Sequence, residues 1–189
     1  MAVLVLIPGA LLPAEPQPAV SIRIYNKSSF SQHDMDRSFH EVEVIYRSAG
    51  IKALVRNCPL PDSCDDEFGI NEVGVRLISG LSPSKPRELA VAFAARGGKL
   101  STIYAGAVVE AANRAGVATG CVLSYTITHE VAHLLGLSHS RSGVMGAGWA
   151  DPDYRAMNEG RISFTRAEAA AMRSKIATSN KPLFDSSAH

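Results

Sequence analysis

Residues 129–139 read HEVAHLLGLSH, and this stretch decides how the rest of the chain is read. The run 120–135 predicts a helix closed by Gly136, on which His129 and His133 stand one turn apart on the same face. Both imidazoles can then reach one ion, while Glu130 beside them is placed to act on a water held by that ion. Gly136 can take the left-handed conformation that ends a helix and turns the chain, which brings His139 back as a third nitrogen ligand. Three neutral imidazoles leave Zn²⁺ with an open fourth position, the arrangement of a catalytic rather than a structural site. With six His and 15 Gly in 189 residues, the chance of finding H-E-x-x-H-x-x-G-x-x-H is on the order of 10⁻⁵, so coincidence is no competitor.

The stretch resembles the signature of the metzincin clan of zinc metallopeptidases, and GLSHS (136–140) is most similar to its matrixin form. In that clan a tight turn containing a methionine lies under the metal, and SGVMG (142–146) supplies Met145 for that place. The resemblance implies an α+β (α/β-like) fold: a twisted mixed sheet over the active-site helix, then a small C-terminal subdomain ending in a helix. It also implies peptide-bond hydrolysis on a peptide or protein substrate with one Zn²⁺ held by His129, His133 and His139. On that resemblance the metal would make its water acidic near neutral pH, and Glu130 would take the proton and pass it to the leaving amine. Two departures stand out. Five residues separate His139 from Met145, fewer than in the matrixin form, and Ala147 stands where some members place a tyrosine ligand. The zinc-binding cysteines that follow the third histidine in archaemetzincins are also lacking, since Ser140 comes next. The alternative reading is a non-catalytic zinc-containing module that binds polypeptides. Glu130 speaks against it, because binding alone has no use for a base beside two ligands.

Upstream, SIRIYN (21–26), IKALVRN (51–57), VGVRLIS (73–79), ELAVAFA (88–94) and STIYAG (101–106) predict strands. A helix is expected between Ser31 and Gly50, a short one over 108–116, and a last one after the Thr165/Glu168 capping box. STIYAG, nearest in sequence to the active-site helix, is taken as an exposed edge along which an extended substrate pairs. Trp149 walls a side-chain pocket or packs in the core, and Tyr154 is a further candidate at the site. His33 and His40 read as ordinary helix residues. Cys58 and Cys64 flank a Pro-rich turn and are the favoured disulfide, with Cys121 a buried thiol; Cys58 with Cys121 remains open. The same turn could instead offer a thiolate to the metal.

Composition frames these readings. The chain is 46% hydrophobic and 20% charged with a net charge of +1, which suits one soluble domain and gives no basic footprint for nucleic acid or a membrane surface; a monomer is the default expectation, on which the sequence itself is silent. Residues 1–14, MAVLVLIPGALLPA, read as a signal peptide too short and Pro-broken to span a bilayer, so a secreted or periplasmic protein is expected. The domain then occupies 15–189, and sheet, helices and turn fill it without space for a folded inhibitory segment.

Overall fold

Alternation of branched apolar residues makes β1 (Ala19–Lys27), in which Val20, Ile22 and Ile24 are wholly buried. The computed structural model describes residues 17–58, 64, 66–82, 89–92 and 98–179; the signal peptide expected at 1–14 lies outside them. After β1 come α1 (Gln32–Ser48), β2 (Lys52–Asn57), β3 (Glu72–Ile78), β4 (Ala90–Ala92), β5 (Leu100–Tyr104) and α2 (Ala105–Ala115). The chain continues through α3 (Thr119–Leu134), α4 (Asp151–Asn158) and α5 (Arg166–Ser179). The expected α+β architecture is present, with a mixed sheet packed on the motif-bearing helix and a C-terminal part that ends in a helix.

The sheet order is β2-β1-β3-β5-β4, with four parallel strands and β4 antiparallel at the edge. STIYAG is therefore interior, which corrects the expectation that it forms the edge. Ala90–Ala92, the described core of the ELAVAFA strand, covers it, with Val91 opposite Thr102. Positions 88, 93 and 94 of that strand lie outside the described residues.

Helix ends follow local chemistry. The Ser31 hydroxyl accepts from the Asp34 backbone N–H at 3.1 Å and opens α1. At α5 the Thr165 hydroxyl accepts from the Glu168 N–H while the Glu168 carboxylate accepts from the Thr165 N–H, the expected capping box. α4 is a helix that the sequence reading does not name. Pro152 sits in its first turn, and the Asp153 carboxylate accepts from the Ala150 N–H at 2.8 Å.

Helix α3 is the central rod, with every residue from 120 to 132 buried. A helix apolar on all sides needs neighbours on all sides. The sheet supplies one through Val75, Leu77 and Ile103, and α1 another, where the Tyr46 hydroxyl donates to the Thr128 carbonyl at 3.0 Å. The Tyr125 hydroxyl ties α3 to the chain before α5 by donating to the Ile162 carbonyl. Cys58 and Cys64 form a disulfide and Cys121 is a buried free thiol, as favoured. No thiolate from that turn is left to meet the metal.

On the opposite sheet face Cys64 and residues 66–72 gather on Arg23, which is only 2% exposed. Its guanidinium donates to the Cys64, Asp66 and Glu67 carbonyls and to the Asp66 and Glu72 carboxylates, and lies over the Phe68 ring. Bonding to Arg23 holds the Glu72 carboxyl below its ordinary 4.5. A depressed carboxyl pKa stabilises the fold above the free value, and that contribution disappears as pH falls through the depressed one. Arg23→Ala is expected to cost about 3 kcal/mol in urea unfolding at pH 7. The gap between variant and wild type should narrow below the ordinary carboxyl value of 4.5, and a constant gap would refute the assignment.

Candidate metal centre

His129 and His133 leave α3 from one face, and α3 stops one residue after His133. Gly136 then takes φ +96°, its N–H bonds to the His133 carbonyl, and the chain turns back so that His139 faces the helix. The three Nε2 atoms converge, with His129 to His133 at 3.0 Å, His133 to His139 at 3.1 Å and His129 to His139 at 3.2 Å. Ligands at zinc–nitrogen distances of ~2.0–2.1 Å and tetrahedral angles would stand about 3.3 Å apart, so the donor set fits a tetrahedral metal. It is the only such cluster of metal-ligating side chains among the described residues.

The far ring nitrogens decide which tautomer faces the centre. His129 Nδ1–H donates to the Val144 carbonyl at 2.7 Å, and His133 Nδ1–H donates to the Leu137 carbonyl at 2.8 Å. Each Nε2 of that pair therefore presents a lone pair. Burial also pushes the pKa of His129 down to about 4, against the opposing effect of its bond to Val144, and the neighbouring His133 and His139 push the same way. His139, more exposed, is lowered for the same reasons of burial and the adjacent His133. Neutral imidazoles are the ligand form.

The methionine turn is present despite its short connection. Gly143, at φ +78°, accepts from the Gly146 N–H, and the enclosed Met145 is fully buried. The turn reaches both ends of the motif: Val144 supplies the carbonyl for His129, and the Met145 carbonyl accepts from the Ser140 N–H at 2.7 Å, next to His139. Its use is to fix ligand orientation through its backbone.

Glu130 is 6% exposed and accepts from the Ser101 hydroxyl at 3.2 Å. It borders a cavity of ≈ 320 Å³ together with His129, His139, Leu89, Trp149 and Tyr154. Trp149 is partly buried against the core and also lines the cavity. Its ring stands edge-on to His129 at 5.1 Å, its indole N–H donates to the Gly143 carbonyl, and it walls the cavity. Tyr154 is buried behind it with ring centroids 6.2 Å apart. His33 and His40, on α1, take no part in the cluster. Sequence reasoning missed Ser101, the two carbonyls and the Leu89–Ala90 border. Ser101 lies in a strand whose alternation could have pointed it at α3, whereas backbone partners leave no side-chain signal.

Neither a protein-family model nor a curated protein sequence matches the chain. Solved structures do. An archaemetzincin from Methanopyrus kandleri superposes with a TM-score of 0.57 at 14% identity, over 88% of this chain and 99% of that one. A zinc-dependent peptidase from Methanocorpusculum labreanum gives 0.56 at 9% identity, over 80% of this chain and 99% of its own. Metalloproteinase-II from Bacteroides fragilis gives 0.53 at 12% identity, over 86% of this chain and 55% of its own. The chain has the fold of these proteins. The likeness to an archaemetzincin holds although Ser140 stands where cysteine was noted as lacking, and the matrixin form of GLSHS remains a resemblance of sequence.

Because Met145 acts through its carbonyl and by filling space, Met145→Leu should cost about 1 kcal/mol in thermal unfolding and leave zinc affinity intact. Loss of zinc binding with unchanged unfolding, measured by competition with a chelating dye, would overturn that role.

Proposed function

We propose that the chain is a zinc-dependent peptidase, most simply an endopeptidase. The observation that carries this reading is the convergence of three imidazole Nε2 atoms beside a cleft that also holds a buried carboxylate. Zn²⁺ held by His129, His133 and His139 would supply Lewis acidity toward a peptide carbonyl and make a water molecule acidic near neutral pH. Glu130 accepts the proton as water attacks the scissile carbonyl and delivers it to the departing amine. Ser101 holds one oxygen of that carboxylate and so positions it. The substrate lies extended along β4, the antiparallel edge strand whose first residue borders the cavity, and pairs with it through backbone hydrogen bonds. Trp149 bounds the space beside the reacting bond. With the Cys58–Cys64 disulfide and the apolar segment 1–14, the proposal extends to work outside the cytoplasm, where disulfides persist.

Digestion of a mixed peptide library by the zinc-loaded protein tests the proposal. Cleavage should stop on chelation, and Glu130→Gln should retain zinc while kcat/KM falls by about 10²–10⁴. Undiminished cleavage by that variant would remove Glu130 as base. Zinc-loaded wild type that binds peptides and cuts none would favour the polypeptide-binding module.

A further inference from the structure

A second cavity, of ≈ 450 Å³, opens between α2 and the N-terminal end of α4. It shares Leu89, Trp149 and Tyr154 with the cavity over the imidazoles, so the two are compartments of one trench divided by those side chains. Its charged lining comes from Glu110, Arg114 and Asp151. The Arg114 Nε–H donates to the Asp151 carboxylate at 2.8 Å, and Glu110 and Asp151 both act electrostatically on the same guanidinium. Two carboxylates around one guanidinium leave the compartment with one net negative charge.

We propose that this compartment receives a lysine or arginine side chain of the substrate, from a residue flanking the scissile bond, and that Glu110 is the residue that selects it. The inference rests on the peptidase reading and adds to it a substrate class. The Leu89, Trp149 and Tyr154 walls suit the aliphatic stem of a long side chain. At the charged rim the incoming cation completes the pairing of Glu110, which Arg114 shares with Asp151. An acidic side chain would meet two carboxylates beside an Arg114 already paired through Nε to Asp151, a net repulsion. An apolar side chain would cover charged groups without giving them a partner.

Glu110 is exposed on α2 and far from any role in the core, so its substitution leaves the fold intact. Trp149, the one tryptophan of the chain, stands in the dividing wall and reports occupancy by its fluorescence. Two readouts are taken on the full-length zinc-loaded protein: Trp149 fluorescence with peptides whose scissile amide is replaced by a reduced bond, and cleavage of the matching amides. The flanking residue is varied among Lys, Arg, Leu and Glu. Wild type should bind and cut the Lys and Arg peptides about tenfold better than the Glu peptide, Glu110→Gln should reduce the ratio to about threefold, and Glu110→Lys should invert it. Equal ratios in wild type and Glu110→Lys would overturn the inference while leaving the peptidase reading standing. Charge-selective fluorescence without cleavage would do the reverse.

Discussion

Three imidazole Nε2 atoms stand 3.0–3.2 Å apart, and the rest of the molecule is arranged to keep them there. The decisive restraint is the pair of bonds from Nδ1 of His129 and His133 to the Val144 and Leu137 carbonyls. They set the tautomer and the ring plane together, so both nitrogens present lone pairs to one point. A site prepared this way takes up a cation without reorganising its ligands. Its dependence on backbone carbonyls explains why the turn around Met145 must lie close under α3, and why a connection as short as Ser140–Val144 suffices: the turn need only bring two carbonyls into place.

Those carbonyls are useful only if α3 itself does not move. Burial along 120–132 fixes it against the sheet, and the Tyr46 and Tyr125 hydroxyls reach across from α1 and toward the chain before α5. The sheet is in turn made two-sided by Arg23, whose bonds collect Cys64, Asp66, Glu67 and Glu72 over the face remote from the site. On the near side, the antiparallel β4 gives an otherwise parallel sheet an edge at the cavity rim, and Ser101 of the neighbouring strand reaches Glu130 from the sheet. Sheet, helix and turn thus each contribute to the site: a hydroxyl, two imidazoles with a carboxylate, and backbone carbonyls.

Legibility in the sequence tracked the range of the interactions. The i,i+4 histidines, the reversal at Gly136 and the Thr165/Glu168 box are local, and they stand where their spacing placed them. Order within the sheet is a long-range choice. Nothing in STIYAG distinguishes an edge from an interior strand, since the difference lies in whether Ala90–Ala92 pairs beside it. Arg23 was hidden in an alternation that ordinarily sends every second residue to solvent, and only the partners from 64–72 make its burial tenable. Helix α4 went unread because eight residues after a Gly-rich stretch are too short a window for a period to stand out, although Pro152 and Asp153 mark its start.

The central claim is that His129, His133 and His139 form one zinc site with a position left for water and substrate. X-ray absorption at the zinc edge of the protein loaded with one equivalent of metal tests it directly. The expected spectrum has three imidazole nitrogens and one further light atom at about 2.0–2.1 Å. A sulfur shell, a fourth imidazole, or failure to retain zinc would contradict it.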